Sequence, residues 1–345
     1  MAEPPRRLRL VDTVTVLPSH DGVQLVQSTR ALRVRGPADV RQVVDDLRRG
    51  VAEETLRDAP RRSALRRLVE ELKSAGWLTA DPVDPPVAPE AQRQLGYLSL
   101  FGPDAVHMQQ RIDAARVAVV GMGGVGTVVA QHLVGAGVRQ LWLIDFDRVA
   151  PHNLNRQFLF SYEDVGLPKA EAAAKALRRL APGVDARVLD VRVDGVGDLS
   201  RLPASLELLV CAADTPPDIA GIAWEWAHKH DVPLHMAAVG LETGYWGPLL
   251  VPSRGHCWPC FESARRSRLP AEQAAWEASR HEPTPYSFGP SNTAVSALLA
   301  HDALRFLATG HCPAENRRGQ LMFGDGRISY LDGVPCACSA AQPPA

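Results

Sequence analysis

Arg116-Val117-Ala118-Val119-Val120-Gly121-Met122-Gly123-Gly124-Val125-Gly126 is the stretch that decides the fold. An apolar run of the kind found in a fully buried strand leads into clustered glycines, and a helical pattern follows. Glycines at such a junction allow a tight turn and bring backbone N–H groups up to phosphate at a helix N-terminus. Leu141-Trp142-Leu143-Ile144-Asp145 supplies a second strand ending in an acid, the place from which a ribose hydroxyl is held in nucleotide-binding sheets. The plain alternative is a packing turn without nucleotide; strand, loop, helix and acid in order count against it. The loop alone does not separate NAD from ATP, so a dehydrogenase competes with an ATP enzyme at this point.

Working outward, Lys169 to Leu180 reads as a helix with Ala172, Ala173, Ala176, Leu177 and Leu180 on its apolar side. Val188 to Val193 and Leu206 to Ala212 read as further strands. Strands alternating with helices predict an α/β, doubly wound, mostly parallel Rossmann-like sheet. Upstream, Asp81-Pro82-Val83-Asp84-Pro85-Pro86-Val87-Ala88-Pro89 is too rich in proline for a helix interior or a central strand, so it reads as a linker. The expected organisation is a small domain over 1–80, a linker over 81–90 and a large domain over 91–345. In the small domain, Leu10 to Leu17 reads as a strand, Asp21-Gly22 as a hairpin turn, and Val23 to Val26 as the return. Helices over Asp39–Leu47 and Ser63–Ser74 and a short strand Trp77-Leu78-Thr79 complete a winged-helix-like α+β module.

The residues after the glycine loop choose between the nucleotides. Asp147, the run His152-Asn153-Leu154-Asn155-Arg156-Gln157, then Gly166-Leu167-Pro168-Lys169 and finally Ala212-Ala213-Asp214 follow in order. Two cations (Arg156, Lys169) and two acids (Asp145, Asp214) would converge at the C-terminal ends of neighbouring strands, where doubly wound folds bind ligands. Hydride transfer has no use for a cation pair beside a metal-ready carboxylate. A triphosphate does, because Arg and Lys offset its charge and an Asp holds Mg²⁺.

Gly-x-Gly-Gly-x-Gly, Asp-x-Asp, Asn-Leu-Asn-Arg-Gln, Gly-x-x-Lys and the strand-ending Asp together resemble the E1-like ThiF/MoeB/MccB adenylating superfamily, over about residues 91 to 338. The resemblance implies that Gly121, Gly123, Gly124 and Gly126 hold the phosphates of ATP and that Asp145 binds the ribose. It implies that Asn153, Arg156 and Lys169 contact the triphosphate and that Asp214 binds Mg²⁺, with Asp147, Asn155 and Gln157 completing the cofactor-binding set. Arg156, Lys169 and Asp214 are the residues expected to carry catalysis. A substrate carboxylate would attack the α-phosphate, giving an acyl-adenylate and pyrophosphate. Charge neutralisation and alignment suffice, since the carboxylate is already ionised. Family members often carry an Arg five residues after the strand-ending Asp; here Ile219 stands there. An Arg that reaches the partner subunit's ATP site is also common, and Arg93 is its counterpart here. Some relatives have lost ATP binding and serve as peptide-binding scaffolds; the intact Arg156, Lys169 and Asp214 argue against that.

Of six cysteines, four form two close pairs, Cys257-Trp258-Pro259-Cys260 and Cys336-Ala337-Cys338. Such pairing favours metal over disulfide in a cytosolic protein. Four thiolates make a closed, structural Zn²⁺ site, and the resembled family often carries one in these two places. Cys211, in a buried-type strand, and Cys312, read as lying on a surface loop, are poor candidates for a catalytic thiol, so adenylation without a covalent thioester is expected. The loop from Arg280 to Asn292 is expected to lie over the active site.

The N-terminal module resembles the PqqD-like RiPP recognition element, which implies leader-peptide binding as an added strand. The strand Val11–Val16 would supply the edge, and Leu65 to Leu72 would line the third helix. The expected partner is therefore a precursor peptide, or else a small ubiquitin-like sulfur carrier, with the chain as a homodimer. A winged helix is also a DNA-binding shape, and Arg61, Arg62, Arg66 and Arg67 could face phosphates; Glu70 and Glu71 beside them favour a solvated helix instead. A formal net charge of −1 gives no support for nucleic acid. No apolar run approaches the ~20 residues that span a bilayer, and the N-terminus lacks an apolar signal core, so a cytoplasmic location without membrane contact is expected.

Overall fold

The computed structural model describes residues 7–11, 13–35, 38–52, 62–81, 87–102, 104–279, 286–336 and 338. The first six residues, linker positions 82–86, Arg61, the stretch 280–285 of the expected active-site loop and Ala337 lie outside them, as do the side chains of Arg62 and Leu65. The chain divides into two units, Met1–Arg111 and Ile112–Ala345.

In the first unit, β1 (Arg7–Leu10), β2 (Thr15–Ser19), β3 (Gly22–Gln27) and β4 (Arg30–Arg35) precede α1 (Ala38–Arg49). β5 (Val51–Ala52), α2 (Arg62–Ser74), β6 (Leu78–Asp81) and α3 (Gln92–Leu98) follow. They form two small antiparallel sheets, ordered β5-β1-β6 and β2-β3-β4. Leu8, Leu10, Leu25, Val44, Leu47, Leu72 and Trp77 fill one core. The single strand expected over Leu10–Leu17 is in fact two strands of different sheets. Leu10 pairs with Leu78, Val11 donates its N–H to Trp77, and the Val14 N–H turns back onto Val11 before β2 begins. Strand β4 was not expected; its alternating arginines hide the Leu32 and Val34 that pack inward. On α2, Leu68, Val69 and Leu72 are buried in this core, and Arg66, Arg67, Glu70 and Glu71 are the exposed face.

The division falls within α4 (Ala105–Ala114). Beyond it come β7 (Arg116–Val120), α5 (Gly126–Gly135), β8 (Gln140–Ile144), α6 (Lys169–Leu180), β9 (Asp185–Leu189), β10 (Leu208–Cys211) and α7 (Ile219–Lys229). The remaining elements are β11 (Leu234–Val239), β12 (Thr243–Leu250), α8 (Trp258–Ser267), α9 (Ala271–Ser279), α10 (Gly289–Thr309), β13 (Arg317–Met322) and β14 (Ile328–Asp332). They build an eight-stranded sheet, β14-β13-β12-β11-β10-β7-β8-β9. The five strands from β11 to β9 run parallel, as the βα alternation predicts; β12, β13 and β14 extend the sheet antiparallel.

α6 shows why these residues take these places. Alanine is the strongest helix former, and Ala170, Ala172, Ala173, Ala174 and Ala176 are buried with Leu177, so small side chains bring the helix close to the sheet. Arg178 and Arg179 in the last turn suit the negative end of the helix. The parallel strands are apolar on both faces: Val117, Ala118, Val119, Leu141, Leu143, Leu208, Leu209 and Val210 are fully covered. Trp224 and Trp226 pack into the same core, and no helix of the described residues is long and apolar enough to cross a membrane.

Candidate active site

Strand β7 lies between β10 and β8, and the chain leaves all three at the same end of the sheet. Gly121 takes the backbone at φ +93°, and a Cβ there would lie 2.8 Å from the Ala213 nitrogen. Only glycine lets the loop pass so close to the exit of β10. Around Gly123 the space is open, the nearest heavy atom to a Cβ being Gln157 Nε2 at 3.9 Å. Thr127 Oγ1 donates to the Gly123 carbonyl (2.7 Å), fixing the first turn of α5. The loop therefore presents backbone N–H groups and a helix N-terminus to an open face, which suits an anion.

Asp145 follows β8 and is buried. Its carboxylate accepts hydrogen bonds from the Met122 N–H inside the glycine loop and from the Asp147 N–H (2.8 Å). Burial raises its pKa, against the opposing pull of Lys169 and those two N–H groups. Read from sequence as a ribose acceptor, Asp145 here also sets the shape of the loop; each oxygen keeps a second lone pair for a hydroxyl. Lys169 Nζ, itself almost covered, pairs with Asp147 Oδ2 at 2.8 Å, while Asp147 is half exposed.

A 3-10 turn, Pro151–Asn153, carries the next group. Asn153 is buried and its Oδ1 accepts the Ala150 N–H (2.9 Å), holding its own turn. Arg156 Nη1 donates to the His152 carbonyl (2.8 Å) and to Asn155 Oδ1 (2.9 Å). Desolvation lowers the Arg156 pKa, against the opposing pull of the Asp214 carboxylate. Gln157 is buried with Oε1 unpartnered. Asp214 is exposed just beyond β10, its Oδ1 accepting from Thr215 Oγ1 at 3.3 Å. The structure thus gathers the glycine loop, Asp145, Asp147, Arg156, Lys169 and Asp214 at adjoining strand ends, with the charges that a polyphosphate and a divalent ion would require. Arg93 is exposed on α3, in the first unit.

Ser287 and Asn292 lie in the loop from Arg280 to Asn292 that the sequence sets over the active site, but neither is singled out there. Asn292 is buried in the first turn of α10, and its Nδ2 donates to Ser287 Oγ (2.9 Å) and to the Phe288 carbonyl (2.8 Å). No local motif marks either residue.

Cys257, Cys260, Cys336 and Cys338 bring four sulfurs within 4.8 Å of one another. Three of the edges measure 3.9, 4.0 and 3.4 Å; a tetrahedron of sulfurs around zinc at ~2.3 Å has edges of about 3.8 Å. The shortened Cys-x-Cys pair fits. Cys211 and Cys312 are different: burial pushes each thiol up to about 12, so neither offers a thiolate near neutral pH. Cys312 is half-buried rather than on an open surface loop.

The profile of the ThiF family matches residues 91–329. The molybdopterin-synthase adenylyltransferase of Salmonella typhimurium is 48% identical over 231 residues, covering 66% of this chain and 83% of that protein. The sulfur carrier protein ThiS adenylyltransferase of Escherichia coli is 30% identical over 259 residues, covering 69% of this chain and 92% of that protein. Among solved structures, E. coli MccB with ATP superposes with a TM-score of 0.77 at 21% identity, over 96% of this chain and 98% of that one.

Proposed function

The chain belongs to the ThiF family, and on that footing we propose that it binds Mg·ATP over its glycine loop and adenylates a carboxylate of a ribosomally made precursor peptide. In this reading Gly121 to Gly126 cradle the phosphates, Asp145 takes the ribose, and Arg156 and Lys169 offset the charge of the triphosphate. Asp214 holds Mg²⁺, and Arg93 completes the site of a second copy in a homodimer. An ionised substrate oxygen would attack the α-phosphorus while its bond to the oxygen bridging to the β-phosphate breaks, and pyrophosphate would leave. No proton moves, so alignment and charge neutralisation carry the step. The four cysteines hold a structural Zn²⁺. With Cys211 and Cys312 protonated, the acyl group stays on AMP rather than passing to a thiol of this chain, and the protein works in the cytoplasm.

The observation that carries the peptide reading is coverage. The fold likeness to MccB spans 96% of this chain, so the first unit has a counterpart there. MccB has also been solved with N-formylated MccA. The first unit would then act as the leader-binding module, taking an extended peptide beside the β2-β3-β4 sheet. The 48% identity to the molybdopterin-synthase enzyme favours a second reading, activation of a ubiquitin-like sulfur carrier. ATP–pyrophosphate exchange separates them. Exchange that requires a precursor peptide encoded beside the gene, and is lost in Asp214→Ala, supports the first. Exchange that responds only to a carrier ending in glycine supports the second and refutes the first. Turnover unchanged after the leader is removed would refute the role given to the first unit.

A further inference from the structure

Gly124 does not sit in the left-handed backbone region that demands glycine, yet it has no room for a side chain. A Cβ there would lie 2.4 Å from Asn292 Oδ1, 2.9 Å from its Cγ and 3.3 Å from Arg156 Cγ. The Asn292 carboxamide is fixed end for end, because Nδ2 must face the Phe288 carbonyl, which can only accept. Its oxygen is therefore turned to the glycine loop. On the other side, Nδ2 also holds Ser287 Oγ, and the Ser287 carbonyl accepts from Asn155 Nδ2 at 3.4 Å. Asn155 Oδ1 in turn accepts from Arg156 Nη1, and Arg156 Cγ borders the same space beside Gly124, 3.3 Å from where a Cβ would lie. Hydrogen bonds thus run from Asn292 through Ser287 and Asn155 to Arg156, and the two ends of this chain of bonds close the circuit on either side of the space beside Gly124.

We propose that Asn292 is a positioning residue for the nucleotide: it seats the glycine loop at Gly124 and, through Ser287 and Asn155, orients the Arg156 guanidinium. This rests on the reading that ATP lies over that loop. Position 124 is then glycine because of Asn292, and not because phosphate must approach the bare backbone there. The two explanations differ in what happens when Asn292 is removed from a protein carrying alanine at 124.

The test measures the Kd of Mg·ATP by calorimetry, with Tm recorded for each variant of the full chain. Asn292→Ala should weaken binding roughly tenfold, the size of one misplaced hydrogen bond to a charged group. Gly124→Ala alone should weaken it more, since the new methyl displaces the carboxamide. The double variant G124A/N292A should bind no worse than N292A, because the space has been cleared. In the same way R156A/N292A should bind no worse than R156A. A residue that only stabilises the fold would lower Tm without producing either non-additivity. Losses that multiply in both double variants, with wild-type binding intact, overturn the inference alone. A wild-type protein that binds no Mg·ATP overturns the functional reading and this inference with it. If N292A does not fold, Asn292→Ser in the same two pairs gives the same readout, its short hydroxyl leaving the space beside Gly124 clear.

Discussion

His235, on β11, has none of its surface exposed, and burial lowers its pKa from 6.5 to about 4 despite the nearby Asp302 carboxylate. The folded protein therefore holds a neutral imidazole over a range in which the unfolded chain binds a proton. A pKa depressed on folding contributes stability above the unfolded value, and that stability is lost as pH falls through 6.5 towards 4. Integrating between pH 7.5 and 5.5 gives a loss of about 1.3 kcal/mol from this one residue. For a unit of this size that corresponds to roughly 3–5 °C in Tm. Other groups titrate in the same range, so the comparison is with His235→Leu, which has similar volume and no proton to bind. Thermal unfolding of both proteins at the two pH values should show the wild type losing about 3–5 °C more than the variant. Parallel shifts would mean that the ring is protonated in the folded state, and the argument from burial would be wrong.

Three further outcomes follow from the site. Gly121→Ala places a methyl 2.8 Å from the Ala213 nitrogen on a backbone at φ +93°; the left-handed conformation alone costs ~1–2 kcal/mol, so denaturant unfolding should show a larger loss and nucleotide binding should vanish. Lys169→Met keeps the buried stem but removes the charge facing Asp147. Because that acid is half exposed, Tm should change little, while Mg·ATP affinity falls roughly ten- to a hundredfold; an unchanged Kd would remove Lys169 from the phosphate site. Metal analysis should give one zinc per chain. A strong chelator should lower Tm and expose the segment around Cys336 to protease; if Tm is unmoved, the four sulfurs hold no structural metal.

The parts legible in the sequence were those written in contiguous residues. The β7 strand matches its apolar run at both ends, and α6 covers the expected Lys169–Leu180. The cysteine pairs are visible because cysteine is rare and their spacing is short. The Leu10–Leu17 run misled because alternation marks extended backbone without saying which sheet receives it, and the turn at Val11–Val14 is held by Trp77, far along the chain. The antiparallel β11–β12 pair was not expected, since its connection at Gly240–Glu242 has no strong turn signature. Asp145 was read for a ligand, whereas its backbone partners at Met122 and Asp147 appear only in three dimensions. The Asn292 circuit was invisible for the same reason: it joins the glycine loop and the Asn-Leu-Asn-Arg-Gln run to Ser287 and Asn292, a distant stretch with no motif of its own.

The cysteine cluster has a consequence for everything between its two halves. Cys260 and Cys336 stand at the mouth of a long excursion of the chain, which contains α9, the Ser287–Asn292 contacts and the last two strands. Bringing together the ends of about 75 residues of free chain costs roughly 4 kcal/mol of entropy by the logarithmic law. A metal held by both pairs would tether those ends, so part of that cost is met before the nucleotide arrives. The grip on Gly124 and Arg156 would then depend on metal supply, although no metal ligand touches the glycine loop.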